Sequence, residues 1–302
     1  YTHFLPDDIA LAAFQELQTN RYLLSVNRKE PNHFTVNFSY GDKQLPTIKG
    51  LNFNAHNAFI PIAHAQNDTI DYWLRDTALV NQDTLHMEMT YMRTDSLGKL
   101  VAQTDTLEVL SKVSYAQRMK QKQKAFEQWQ KQQEKKKKRE EPYETAYPPE
   151  TVTMQADISS DFAPDKNVLL HFNTPLATID TSKVHLYTKV DTLWYRARYE
   201  LKPVARRNAQ GQLVRPDSLK YGTDYELLGE WKPGQEYSLE TDSLAFVDIY
   251  GAVSKKFKQG FKVKTLDEYS TLFITLAGME GKDCMVSLLD KNDKVGKMVR
   301  AD

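Results

Sequence analysis

Leu85, Met87, Met89 and Tyr91 alternate with His86, Glu88 and Thr90, so seven consecutive residues put apolar side chains on one side and polar ones on the other. A period of two marks a strand with one face in a core and the other in water. The pattern recurs along the chain. Phe34, Val36, Phe38 and Tyr40 alternate with Thr35, Asn37 and Ser39, and Leu193, Tyr195, Ala197, Tyr199 and Leu201 with Trp194, Arg196, Arg198 and Glu200. Val168, Leu170 and Phe172, then Phe261 and Val263, then Leu272, Ile274 and Leu276 repeat it. Turn signals separate these runs. In WKPG (231–234), Pro233 and Gly234 suit the two central positions of a type II turn, because proline fixes φ and glycine accepts a positive φ. Ser96 to Gly98 and Asn208 to Gly211 are weaker turn signals. Short half-buried strands with almost no helical period between them predict an all-β chain of β-sandwich domains.

One segment breaks the pattern. SYAQRMKQKQKAFEQWQKQQEKKKKREE (114–141) contains no Gly, Pro or Val and is rich in good helix formers. Tyr115, Met119, Lys122, Phe126 and Trp129 are spaced four, three, four and three residues apart, which draws a narrow apolar stripe along one helical face, interrupted by Lys122. Those four apolar residues are therefore the candidate contact face of a charged helical arm, expected to be partly buried. Beyond Trp129 the stripe ends, so residues 131–141 are expected to be exposed. Pro142 stops the helix, and EEPYETAYPPETV continues as an extended linker. Ten basic and four acidic side chains leave the segment at +6. The absence of an arginine fork set disfavours nucleic acid. An anionic membrane surface is a second reading, and a solvated spacer whose first turns dock on a neighbouring domain is the preferred one.

At 302 residues, the chain has room for two or three domains of ~100–150 residues each. The boundaries read as 1–113 for an N-terminal β-sandwich, 114–149 for the helix and linker, 150–266 for a second sandwich, and 267–302 for the start of a third. The last segment ends in a hairpin, MVSLLDKNDKVGKMVRAD, which has too little to bury by itself. The opening YTHFLPDDI has no initiating Met. Both ends lead to the expectation of a processed chain or a piece of a longer one.

Forty basic and forty acidic side chains cancel, which argues against a dedicated polyanion binder. The single cysteine, Cys284, allows no intrachain disulfide and no cysteine metal cluster; its place in the apolar run CMVSLL predicts a buried thiol. No stretch approaches the ~18–20 apolar residues of a membrane-spanning helix. Seven histidines are scattered without HxxxH or HExxH spacing, and His86 and His171 read as ordinary strand residues. No GxSxG, GxxxxGK[ST] or GxGxxG occurs. DKNDKVGK (290–297) lacks the Gly and distal Glu of a calcium loop and reads as a turn. Neither a metal nor an organic cofactor is expected, and no catalytic residue is assigned.

Residues 152–266 resemble the bacterial Ig-like domain of S-layer-type proteins, as found in envelope lipoproteins of Bacteroidetes. The resemblance rests on VLLHFNTPLATIDTSKVHLY (168–187), with Phe172, Asn173 and Pro175. It rests also on EWKPGQEYSLETDSLAFVDIYGAVSKKFKQGFKVKT (230–265), with Lys232 to Tyr237, Asp248 to Gly251, and Phe257, Gly260, Phe261 and Thr265. Residues 1–113 are similar to the β-domain that precedes this module, through KEPNHFTVNFS and IKGLNFN, and the segment from Tyr269 to the start of a carboxypeptidase-regulatory or prealbumin-like sandwich. The resemblance implies tandem Ig-like sandwiches, an extracytoplasmic place at the outer membrane, and anchoring through a lipidated cysteine of the full-length parent.

The resemblance also gives meaning to a repeated triplet. Exported Bacteroidetes proteins carry O-linked glycans on the hydroxyl of Asp-[Ser/Thr]-apolar sequences. Thr69, Thr77, Thr84, Ser96, Thr106, Thr192, Ser218 and Ser243 all stand in such triplets. Turn chemistry competes as an explanation, because Asp favours bends and Thr-Leu starts strands. Thr69, Thr84, Ser96 and Ser218 are expected to be the better acceptors; Thr192 and Ser243 are placed closer to paired strands. The function expected is a non-enzymatic structural or protein-interaction module acting with other envelope proteins. A carbohydrate-binding or carbohydrate-processing accessory, or a subunit of an outer-membrane assembly, stands as the alternative.

Overall fold

A computed structural model describes residues 20–64, 67–207, 213–214, 216, 219–268, 284–289 and 295–301. The chain is mostly β, with several sheets. It divides into a unit spanning Tyr1–Val263 and a second unit, Lys264–Asp302.

The first part of the larger unit runs β1 (Leu23–Asn27), β2 (His33–Phe38), β3 (Thr47–Gly50), β4 (Phe59–Ala63), β5 (Thr69–Leu74), α1 (Thr77–Asn81), β6 (Thr84–Thr94) and β7 (Leu100–Leu110). These strands form a sheet ordered β1-β2-β5-β4 and a sheet ordered β3-β6-β7. One core joins them. Phe34, Val36 and Phe38 of β2 meet Leu85, Met87, Met89 and Tyr91 of β6, so both alternating runs put their apolar side inward. Tyr40 departs from the expected run. It lies beyond the end of β2 and is exposed, because the strand stops at Phe38 and the next residues bend away. Proline in β4, at Pro61, is tolerated because β4 is an edge strand that need not donate on its outer side.

α2 (Tyr115–Lys138) follows. Its start is fixed by several contacts. Ser114 is the N-cap, and it exchanges hydrogen bonds with Gln117 in a capping box. Asp83 accepts from the Tyr115 amide at 2.5 Å, and Arg118 donates to the Val80 carbonyl at 2.9 Å.

The remaining strands of this unit are β8 (Thr151–Val152), β9 (Met154–Asp157), β10 (Asp161–Phe162), β11 (Val168–Phe172), β12 (Leu176–Ile179), β13 (Val184–Val190), β14 (Leu193–Arg196), β15 (Tyr199–Pro203), β16 (Arg206–Arg207), β17 (Leu213–Val214), β18 (Asp224–Gly229), β19 (Glu236–Thr241), β20 (Phe246–Asp248), β21 (Val253–Ser254) and β22 (Phe257–Val263). Three sheets, β10-β22-β19-β13-β14, β15-β18-β11-β9 and β12-β20-β21-β8, close on one core. Phe162, Trp231, Tyr237 and Phe261 meet there edge to face or stacked, with ring centroids 5.1–5.7 Å apart. The expected type II turn is present: Gly234 has φ +77° and the Gln235 amide donates to the Lys232 carbonyl.

The alternating run 193–201 is not one strand. It breaks after Arg196: β14 pairs with β13 in the five-stranded sheet, whereas β15 pairs with β18 in a different sheet. The chain changes sheets at Ala197 and Arg198, and only the second half keeps its apolar face inside. Leu201 is buried, while Leu193 and Tyr195 are exposed.

In the second unit, β23 (Cys284–Leu289) pairs antiparallel with β24 (Val295–Ala301), the hairpin read from the sequence. The run at Leu272, Ile274 and Leu276, the turn readings at 208–211 and 290–294, and the burial of the Cys284 side chain lie outside the described residues.

Candidate functional site

The two sandwich-like parts of the larger unit meet along a seam. β5 has Ile70, Tyr72 and Leu74 in its own core, yet Trp73 on the opposite face is also buried. Trp73 packs with Ile60 and Ile62 of β4 and with Ile249 from the loop after β20. The neighbouring Tyr250 hydroxyl donates to the Leu74 carbonyl at 2.7 Å, with the Asn32 carbonyl at 3.3 Å. Burial pushes the Tyr250 phenol pKa above its ordinary range, so it remains a donor. Beside the seam lies a cleft of about 350 Å³ lined by Ile60, Ile62, Arg75, Pro203, Tyr221 and Asp224, with Arg75 over the Tyr221 ring at 4.9 Å. No candidate residue chosen from the sequence lies here. The signal was present: apolar residues on both faces of YWL (72–74) and in FIPIA (59–63) mark a strand buried on two sides.

The candidate helix stripe divides in two. Phe126 and Trp129 are half-buried, but Tyr115 and Met119 are 40% and 45% exposed, against expectation. The cover explains the difference. Residues 142–150 run back along α2, and Tyr147 meets Phe126 and Trp129 edge-on at 5.4 and 5.3 Å. Glu144 donates its amide to Gln133, Lys122 pairs with Glu150 at 2.6 Å, and Lys137 lies over the Tyr143 ring. The returning segment ends at Glu150 beside Lys122, so nothing from it reaches Met119 or Tyr115. Lys122, an interruption in the stripe by sequence, meets the end of the return in an exposed ion pair.

The triplets sit in several different settings. Asp76 caps α1 by accepting from the Ala78 amide at 2.8 Å, which leaves Thr77 exposed at the first helical position. Asp95 accepts from the amides of Leu97 and Lys99 at 2.9 and 2.8 Å and closes the turn that exposes Ser96. Asp83 caps α2. Asp105 lies mid-strand in β7. It accepts from the Tyr91 hydroxyl at 2.7 Å and from Gln103, which holds its carboxyl below the usual range; Thr106 is exposed. Local hydrogen bonding of Asp therefore accounts for several repeats on its own.

The expected ranking of acceptors changes. Thr69 and Thr84 open β5 and β6 and are half-buried, and Thr69 Oγ1 donates to Asn37 Oδ1 at 3.3 Å. Thr192 and Ser243, placed near paired strands by sequence, are exposed in the β13–β14 and β19–β20 turns. Asp191 adopts φ +54° and Leu244 φ +65°, the left-handed conformation of turn residues. Ser218 lies outside the described residues.

Four histidines pair with carboxylates: His64 with Asp71 at 2.8 Å, His86 with Glu108 at 3.4 Å, His171 with Asp224 at 2.6 Å and His185 with Asp242 at 3.1 Å. Among the described residues no group of three or more His, Cys, Asp or Glu side chains could hold a metal ion. No helix is long and apolar enough to cross a membrane, again among the described residues.

Among the described residues of the central part, the β13–β14 hairpin carries several exposed large apolar side chains. β14 is an edge strand, and Leu193, Trp194 and Tyr195 are 60%, 47% and 52% exposed. Leu193 and Tyr195 pair with Val190 and Thr188 on the core-side face of the hairpin, above a hollow of about 160 Å³ lined by Thr188, Val190, Ala197 and Tyr237.

No protein-family model matches this chain, and no curated protein matches it. Among solved structures the chain is similar to a chimeric titin Z1Z2 functionalized with a KLER exogenous peptide from decorin. That match has 12% identity and a TM-score of 0.23, and covers 82% of this chain and 94% of that one. A likeness this distant carries no argument about family or function.

Proposed function

We propose that the chain is a non-enzymatic structural and protein-interaction module of a bacterial envelope lipoprotein, built from tandem Ig-like sandwiches with α2 and its return as an arm between them. The observation that carries this reading is the β13–β14 hairpin. An edge strand offers unpaired backbone groups, and Leu193, Trp194 and Tyr195 offer apolar area beside them. That combination suits strand addition by a partner protein. Core-facing aromatics favour this over the carbohydrate-binding alternative. Trp73 and Trp231 are buried and Trp129 packs on Tyr147, which leaves Trp194 as the exposed tryptophan. Placement outside the cytoplasm and anchoring by a lipid on the parent belong to the same proposal, as does glycosylation at Thr77, Ser96, Thr106, Thr192 or Ser243, whose residues are exposed.

The test is a photocrosslinking residue in place of Trp194, and separately of Thr106, in the full-length protein in its native host. A defined envelope protein should be captured from Trp194 and not from Thr106. An unmodified Trp194 variant, or the same adducts from both positions, would sink the interaction reading. Peptide mapping of the same native material reads the glycans, and bare triplets throughout would leave turn chemistry as their whole explanation.

A further inference from the structure

The aromatic cover on α2 determines what the helix leaves outside. Phe126, Trp129 and Gln133 lie on the side closed by residues 142–150. On the opposite side, at 100° per residue, Lys120, Lys124, Lys131, Lys135 and Lys138 fall within an arc of about 60°. All five are exposed, and among the described residues none is in an ion pair. Their span along the axis is about 27 Å at 1.5 Å per residue. Glu127 and Glu134 fall to one flank of this stripe. Gln121 and Gln128 fall to the other flank. The run of four lysines that dominates the sequence is divided: Lys135 and Lys138 join the stripe, while Lys136 and Lys137 leave it.

We propose that this lysine stripe is a docking face for an anionic lipid bilayer surface. A straight row of point charges on one side of a rigid helix can meet a plane of negative headgroups all at once. Each lysine held near such a surface contributes about 1 kcal/mol. Insertion is not part of the mode, because the apolar side of α2 is turned the other way and capped by Tyr147. Binding is therefore electrostatic, reversible and limited to the Debye length, ~10 Å in 0.1 M salt. Nucleic acid fits the same charges less well. The stripe holds no arginine for bidentate phosphate contacts, and its neighbouring aromatics are occupied within the chain.

The experiment is co-sedimentation of the intact chain with vesicles of phosphatidylcholine containing roughly one-third phosphatidylglycerol, and with pure phosphatidylcholine, in about 0.1 M salt. The chain should bind the first and not the second. Lys124→Gln, Lys131→Gln and Lys135→Gln together should weaken binding on the order of a hundredfold, from three contributions of about 1 kcal/mol. The same three changed to Arg should keep it. Lys99→Gln, Lys255→Gln and Lys256→Gln together remove equal charge from exposed sites on the sandwiches and should change binding by less than about threefold. Circular dichroism of each variant checks that α2 remains helical. Absence of vesicle binding overturns the proposal. So do equal losses in the two glutamine variants, which would make net charge the cause, and binding to a single-stranded oligonucleotide without binding to vesicles.

Discussion

The two sandwich-like parts tie down their loops by different chemistry. The N-terminal part uses buried arginines. Arg28 is 3% exposed and donates to the carbonyls of Pro31 and Leu79 through Nη2, at 2.7 and 3.1 Å, and to Gln82 through Nη1 at 2.7 Å. Arg21, 1% exposed, donates to the carbonyls of Met92 and Tyr40 and lies over the Phe38 ring at 3.9 Å. The central part uses tyrosines. Tyr225 donates to the Leu219 carbonyl at 2.5 Å, Tyr237 to Glu230 at 2.8 Å and Tyr199 to Val184 at 2.8 Å. The cause is α1. Its C-terminal carbonyls converge at the negative end of a helix dipole, and a guanidinium fork can satisfy several of them with a charge of the right sign. The described strands of the central part are joined without an α-helix, so only one or two loose carbonyls face each of these tyrosines, and a phenol with one proton to donate suffices. Burial pushes the Arg28 pKa down to about 10, and neighbouring Arg118 adds to the shift. The group nevertheless stays charged at neutral pH.

This contrast sets an order of expected effects. Arg28→Met should be the most damaging single change, at about 3 kcal/mol, because it leaves several buried carbonyls without a donor. Chemical denaturation of the whole chain measures it. Arg28→Lys should recover only part, since an ammonium cannot span the same carbonyls. Tyr225→Phe should cost about 1 kcal/mol, one neutral hydrogen bond. If the two substitutions cost the same, the division between fork and phenol is wrong.

The smallest effect concerns pH and belongs to the N-terminal part. His33 stacks on Trp73 at 4.3 Å, and burial lowers its pKa against the pull of Asp71 and Glu30. The unfolded chain, near pKa 6.5, takes up this proton first. Stability should therefore fall as pH drops below about 6.5 toward the folded value. Asp71 acts further down. Burial raises its pKa, but hydrogen bonds from His64 and Thr35 outweigh this and hold it low. Its contribution is present above the unfolded pKa of about 3.9 and lost as pH falls through the folded one. Melting temperatures of the parent and of His33→Phe, taken from neutral to acid pH, should separate first at the histidine step; parallel curves there would remove His33 from the account.

Strand reading from sequence worked where one face is buried and the other wet. β2, β6 and β11 are such strands, and Phe34, Met87 and Leu170 lie where alternation put them. It failed where the environment changes along a strand. Leu193 to Leu201 keeps a period of two while the backbone moves from one sheet to another, and alternation cannot register that move. Trp73 was missed for the opposite reason, because a strand buried on both faces loses its period. The helix could be read from composition, but not the identity of its cover. Tyr147 and Glu150 lie in a proline-marked stretch that looks like a linker, and only the fold-back shows what they touch. The triplets were legible as turn chemistry one at a time, whereas the exposure of Thr192 depends on a two-residue turn between β13 and β14.

The return along α2 has a mechanical consequence. The chain leaves the N-terminal sandwich at Tyr115, travels out along the helix and comes back beside Lys122 at Glu150. The two sandwiches, meanwhile, hold each other directly through Tyr250 and the Trp73 cluster. A pull applied across them is borne by that seam, and α2 stays slack. Only when the seam parts does tension reach the excursion. Residues 115–150, drawn out at roughly 3.4 Å each, would then release roughly 110 Å beyond the ~10 Å they already span before either sandwich felt the full load.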